Sequence, residues 1–147
     1  MTYSLVKVTS DSDWADYNRI RKDVLFDGRE YDPNHPDEYI SSNHPMLLKA
    51  LGKSVATVRL DFSDNAECTI RLVAVTKDEQ SKGHGRKLYE LIEKYASENH
   101  TFVLRVNAAP DAVGYYKKMG FIEHVWDETE LEGIAEDCIQ MIRKLPS

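Results

Sequence analysis

Gly83 and Gly85 lie one residue apart in "DEQSKGHGRKLYELIEKYASEN", the stretch from Asp78 to Asn99. Lys82 precedes them and Arg86-Lys87 follows. A helical pattern then begins, with Leu88, Leu91, Ile92, Tyr95 and Ala96 on one stripe. Flexible residues at a helix start have a chemical use. The first amides of a helix lack intrahelical partners and carry the positive end of its dipole. They therefore attract anions. Glycine lets the backbone approach a phosphate closely and adopt dihedrals other residues avoid. The expectation is a phosphate or pyrophosphate held by backbone amides of about Lys82 to Arg86, with Lys82, Arg86 and Lys87 adding mobile positive charge.

Two common phosphate loops do not fit. A dinucleotide-binding fingerprint needs a third glycine where Leu88 stands, and a Walker loop needs GxxxxGK[ST]. What remains is Gln80-Ser81-Lys82-Gly83-His84-Gly85. A second block follows it, "TFVLRVNAAPDAVGYYKKMGF", with Ala112, Tyr116, Gly120 and Phe121 in an AxxxYxxxGF spacing.

The elements that must position these groups are readable. Tyr3 to Val8 reads as a strand. Asp11 to Phe26 reads as a helix, capped by Ser10 or Ser12, with Trp14, Tyr17, Ile20, Val24 and Leu25 buried. A polar, proline-containing loop follows, with one helical turn near Glu38 to Ser41. Met46 to Leu51 is expected to turn through Gly52-Lys53 into Ser54 to Phe62, and Ser63 to Asn65 to lead into Glu67 to Val75. In that third member Cys68, Ile70, Leu72 and Ala74 should face one way, and Thr69, Arg71, Val73 and Val75 the other. Then come helix Gly83 to Glu98, strand Thr101 to Val106, helix Asp111 to Met119 ended by Gly120, and closing strands Phe121 to Trp126 and Cys138 to Arg143. Hairpins followed by strand–helix–strand imply an α/β fold with a mixed sheet.

Composition narrows the partners. Nineteen basic against twenty-five acidic residues give a net charge of −6 in a chain of 147 residues. That sign argues against nucleic acid or an anionic membrane as the main partner. No apolar run approaches a membrane span, and the N-terminus lacks a basic segment followed by an apolar core, so a cytoplasmic protein is expected. Cys68 and Cys138 read as reduced, buried thiols. His35, His44, His84, His100 and His124 show no metal-ligand spacing and read as surface or turn residues, and no metal is expected. Trp14, Tyr17 and Phe26 read as core.

The two blocks, covering about Arg71 to Phe121, resemble the GNAT superfamily of acetyl-CoA-dependent N-acetyltransferases. The first resembles that family's fourth strand, phosphate loop and third helix, and the second its fifth strand and fourth helix. The resemblance implies a single domain over residues 1–147, with a mixed, mostly antiparallel sheet that splays between the fourth and fifth strands and is flanked by helices. It implies that Val73, Ala74 and Val75 hold the pantetheine arm through their backbone. It implies that Gln80, Ser81, Lys82, Gly83, His84, Gly85 and Arg86 hold the pyrophosphate, and that Asn107 bonds the arm's amides. Ala109 stands where many members carry Asn, so the Asn107 contact is matched against capping of the strand-to-helix turn.

Tyr116 matches the family's acid position. Attack of an amine on a thioester must end in expulsion of a thiolate, and a phenol aimed at the sulfur can protonate it. The base does not carry over, because the fourth strand reads Thr69-Ile70-Arg71 where some branches have Glu; Glu30, Asp61, Glu67 or a water are open. Asp27, Glu30, Asp32, Asp37 and Glu38 against Arg29 suggest an acidic rim for a cationic acceptor, a small amine or a peptide amine. The alternatives are a non-catalytic coenzyme A-binding domain of the same fold, an unrelated nucleotide-phosphate-binding domain, or another acyl-CoA donor. A homodimer through the sheet edge or the C-terminal strands is left open.

Overall fold

The computed structural model describes residues 2–146. Seven strands form one sheet: β1 (Tyr3–Lys7), β2 (Asn43–Ala50), β3 (Lys53–Ser63), β4 (Glu67–Val75), β5 (Val103–Ala108), β6 (Ile122–Glu123) and β7 (Ile139–Lys144). Their order across the sheet is β1-β2-β3-β4-β5-β7-β6. Only β4 and β5 run parallel. The helices are α1 (Asp11–Leu25), α2 (His84–Glu98) and α3 (Val113–Lys118). Among the described residues no helix is long and apolar enough to cross a membrane.

The helices divide between the faces. Tyr17 and Ile20 of α1 meet Val8, Leu47 and Ala74 on one face. Leu88, Ile92 and Ala96 of α2, with Tyr116 of α3, pack with Met46, Leu48, Ile70 and Val106 on the other. Consecutive residues of β2 go to opposite layers because a strand alternates, so Met46, Leu47 and Leu48 are all fully buried.

Local chemistry sets the ends of the helices. The Ser10 hydroxyl accepts from the Asp13 amide at 3.0 Å and caps α1. At the end of α3, Gly120 takes φ 94. The Phe121 amide then donates to the Tyr116 carbonyl, and the Gly120 amide to that of Lys117, each at 3.0 Å. These are the paired bonds of a Schellman cap, and the Phe121 ring packs on Tyr116 with centroids 5.2 Å apart. The "GF" of the second block is thus a helix stop that fixes the tyrosine.

The structure corrects several expectations. The first hairpin turns on Leu51-Gly52, with φ 52 and 80, because Ala50 pairs with Lys53. Two positive φ values make it a type I′ turn, whose twist matches the strands. The next turn is Asp64 to Ala66, since Ser63 pairs with Glu67. The strand after Gly120 is only Ile122–Glu123, shorter than Phe121 to Trp126. Cys138 lies outside β7 and is half-buried; Cys68 is buried, and burial pushes its thiol up.

The largest correction concerns β4. Leu72 has φ 55, and the register with β3 steps from Thr57↔Ala74 to Arg59↔Arg71. One extra residue therefore sits in β4, a bulge that reverses the alternation. Cys68 and Ile70 share the α2 face with Val73 and Val75, while Ala74 crosses to the α1 face. Leu72 is exposed.

Candidate active site

β4 and β5 pair only from Glu67↔Val103 to Ile70↔Val106. Both strands continue, β4 to Val75 and β5 to Ala108, but β5 then pairs with β7 alone. The bulge at Leu72 bends β4 at the point where pairing stops. The sheet is open there, and the β5-facing edge of Val73, Ala74 and Val75 has no strand neighbour.

The expected phosphate loop begins at the end of that edge. A single 3-10 turn, Lys77–Glu79, leads through Gln80 and Ser81 (φ 65) to Gly83 (φ 83), and α2 starts at His84. Gly83 is in the left-handed region, which explains a glycine there. Gly85 is helical, and a Cβ on it would meet only Tyr115 at 3.7 Å, an ordinary contact. Nothing inside the protein requires glycine at 85, although glycine weakens a helix interior by about 1 kcal/mol. No side chain caps the first turn of α2.

The side chains of the loop are placed differently from their backbone. The Gln80 amide donates to the Val75 carbonyl at 3.0 Å. The Lys82 ammonium donates to Glu79 at 3.1 Å, and Arg86 lies 3.7 Å from Glu90. His84 is not a surface residue: it is 1% exposed. Its Nε2 faces Glu79 at 3.0 Å and its Nδ1 the Tyr3 hydroxyl at 2.8 Å. His44 is half-buried rather than a turn residue, 2.7 Å from the Tyr95 hydroxyl.

Tyr116 lies on the α2 face of the sheet, 7% exposed, and burial pushes its phenol above the usual range. The neighbouring Tyr115 hydroxyl donates to the Gly85 carbonyl at 2.5 Å, tying α3 to the first turn of α2, and burial pushes it up to about 12. Asn107 has both amide atoms engaged: Nδ2 donates to Glu130 at 3.1 Å, and Oδ1 accepts from Gln140 at 2.9 Å.

On the α1 face a cavity of about 720 Å³ reaches Leu72 at the bulge. Glu30, Asp32 and Asp37 line it, together with Phe26 and Tyr31. Phe26 is therefore a wall of this cavity and not a core residue. Asp27 instead pairs with Lys77 at 3.1 Å. Its inner wall holds the buried Arg21, Glu38 and Arg59, which begin a ladder of charges continued by half-buried groups behind it. Glu38 accepts from the Tyr17 hydroxyl at 2.8 Å, from Arg59 at 3.1 Å and from Arg21. Asp61 lies 2.8 Å from both Arg59 and Arg71. Arg71 then grips Glu130 with two bonds, at 2.7 and 3.0 Å. Burial works against the Glu130 carboxylate, but Arg71 and Asn107 outweigh it and hold its carboxyl below the usual range.

Of the three carboxylates considered as bases, the structure brings only Glu30 to the cavity. Asp61 has both oxygens engaged by guanidinium groups. Glu67 opens β4 at the paired end, opposite Val103 and away from the split. Sequence reasoning gives no site role to Arg21, Arg59 or Glu130, and reads Arg71 only as a strand residue. Arg21 carried a signal, a charge four residues after Tyr17 on the buried stripe of α1. Glu130 carried none: it sits in a 3-10 turn 59 positions from Arg71. Among the described residues no group of three or more His, Cys, Asp or Glu side chains is placed to hold a metal ion.

The chain is 33% identical over 95 residues to glucosamine 6-phosphate N-acetyltransferase of Candida albicans, over 60% of this chain, and spans 64% of that relative's length. Its fold superposes on the ribosomal-protein-S18-alanine N-acetyltransferase of Escherichia coli with a TM-score of 0.76, at 17% identity, over 97% of this chain and 94% of the other. An acyl-CoA N-acyltransferase from Pseudomonas aeruginosa gives 0.77 at 17% identity, over 97% and 98% of the two chains. Residues 26–143 match the acetyltransferase (GNAT) domain family, and the chain belongs to that family.

Proposed function

We propose that this protein transfers an acetyl group from acetyl-CoA directly to an amine that enters the cavity on the α1 face. The observation that carries this reading is the open sheet between β4 and β5, with an uncapped helix start at its end. Acetyl-CoA supplies an activated acyl group as a thioester. The residues present suit it. The edge of Val73, Ala74 and Val75 has no strand partner and can take an extended amide arm, the Gln80 side chain now occupying the Val75 carbonyl. The amides from Lys82 to Arg86 span the start of α2, where no side chain takes the helix's first donors.

The chain's own groups then divide the work. Glu30, Asp32 and Asp37 attract and hold an ammonium at the cavity. An aliphatic ammonium titrates at about 10.4, so it must lose a proton before it attacks. Those same carboxylates, directly or through water, are the proton's route out. Leu72, turned outward by the bulge, forms the wall where the cavity meets the split. Tyr116 donates its proton to the sulfur as the carbon–sulfur bond breaks, its burial keeping it protonated until then.

The Candida relative acts on glucosamine 6-phosphate, which raises a phosphorylated amino sugar as acceptor. Glu30, Asp32 and Asp37 disfavour a phosphate at this cavity, and Arg21 and Arg59 are already paired with Glu38. A cationic amine is the better match. The test is thiol release from acetyl-CoA against diamines, polyamines, basic peptides and glucosamine 6-phosphate. Turnover with the cationic amines supports the reading. Coenzyme A binding without reaction on any amine would replace it with a non-catalytic binding role.

A further inference from the structure

We propose that His84 is a positioning residue for the pyrophosphate loop: with Glu79 and Tyr3 its side chain forms a clasp that holds the loop's backbone amides in their anion-binding arrangement, and the imidazole itself does not touch the ligand. The inference rests on the acetyl-CoA reading above.

His84 is the first residue of α2 and is 1% exposed. Burying an imidazole is costly unless its nitrogens have partners. Here both do, and each partner lies on a different element. Nε2 faces Glu79 at 3.0 Å; a carboxylate only accepts, so Nε2 holds the proton. Nδ1 lies 2.8 Å from the hydroxyl of Tyr3 on β1, whose ring meets the imidazole edge-on at 5.6 Å. Glu79 stands just before Gln80 and His84 just after Gly83, so their bond closes a ring around Gln80 to Gly83, the first half of the loop. Inside that ring Ser81 and Gly83 both take left-handed backbone, with φ 65 and 83. A serine in that region is disfavoured and persists only where its surroundings enforce it.

The clasp is also anchored from outside. Glu79 lies 3.1 Å from Lys82 within the loop and 3.6 Å from Lys53 on β3. The His84 and Lys82 bonds hold the Glu79 carboxyl down to about 2, so it stays charged through neutral pH. An apolar residue would fill the space of His84, but it would tie neither Glu79 nor Tyr3. Backbone amides bind an anion well only when they converge before it arrives, because ordering them afterwards subtracts from affinity.

The experiment is calorimetric binding of coenzyme A, and of pantetheine by competition, to wild type, His84→Ala, His84→Gln and Tyr3→Phe. Pantetheine has the arm but no phosphate. His84→Ala should weaken coenzyme A by about tenfold and pantetheine by less than about twofold. His84→Gln, whose amide N–H can still reach Glu79, should recover most of the loss. Tyr3→Phe, which removes one hydroxyl, should give a smaller loss of the same selectivity, and it carries the test if His84→Ala does not fold. KM for acetyl-CoA should rise in parallel, with kcat much less affected. Unchanged coenzyme A affinity in His84→Ala and Tyr3→Phe overturns the role of His84, and so does an equal loss for the two ligands. Wild type that fails to bind coenzyme A overturns the acetyl-CoA reading instead, and this inference with it.

Discussion

At the scale of single residues, the proposed acid is the phenol of Tyr116. Burial raises it, which would make a poor acid in water, yet the same dry surroundings raise the proton affinity of a departing thiolate. Donor and acceptor stay matched as long as both are desolvated together. Tyr116→Phe removes only the hydroxyl, so we expect kcat to fall by roughly 10²–10⁴-fold while coenzyme A affinity holds. Single-turnover rates and calorimetry on the same samples check it. Because the phenol titrates above its ordinary value of 10.0, the rate should show no loss from tyrosine ionisation up to pH 10. A decline centred below that pH would assign the acid elsewhere.

At the scale of elements, the site depends on how two elements end. β4 ends its pairing with β5 at a bulge, and α3 ends in a Schellman cap whose third-last carbonyl belongs to Tyr116. Gly120 is the hinge of that cap. A Cβ there would lie 2.7 Å from Nη1 of Arg143, which donates to the Met119 carbonyl. Gly120→Ala should therefore cost about 2–3 kcal/mol, combining left-handed strain with a disturbed hydrogen bond. Gly133→Ala, at φ 59 with nothing within 4 Å, should cost only about 1–2 kcal/mol. Urea midpoints compare the two. Gly120→Ala should also lower kcat, since Phe121 no longer fixes the Tyr116 ring, whereas Gly133→Ala should not.

At the scale of the whole molecule, buried charge joins α1, the sheet and the C-terminal segment. Glu38 is the pivot, 5% exposed and shared by Tyr17, Arg21 and Arg59. Glu38→Ala leaves two buried guanidinium groups short of a partner, and we expect a loss of about 3–5 kcal/mol in urea unfolding. The pH dependence of stability follows from groups whose titration shifts on folding. Glu79 is held down to about 2, and Asp13, Asp127 and Glu130 are also lowered. Their contribution is complete above the unfolded carboxyl range and is lost as pH falls from about 4.5 toward 2. Tyr17, Tyr89, Tyr115 and Tyr116 are raised. The unfolded chain ionises first, so their contribution is intact below pH 10.0 and is lost as pH climbs toward 12. Urea midpoints from pH 2 to 11 should form a plateau with both flanks falling; a flat alkaline flank would contradict the tyrosine burial.

The sequence by itself determined the order of elements, the amphipathic faces of α1 and α2, the glycine-bounded start of α2 and the position of Tyr116. Each is written in residues a few positions apart, where helical and strand periods and capping chemistry act. Only the tertiary structure decided what crosses long separations. The alternation of β4 failed at Leu72 because a bulge is fixed by register against β3, not by the strand's own pattern. His84 reads as a loop residue, and its burial depends on Tyr3, 81 positions away. Phe26 looks like core, but the loop after α1 leaves it facing a cavity. The charge ladder from Glu38 to Glu130 assembles five separate segments, and a lone Arg or Glu in a sequence gives no sign of the partner that will neutralise it.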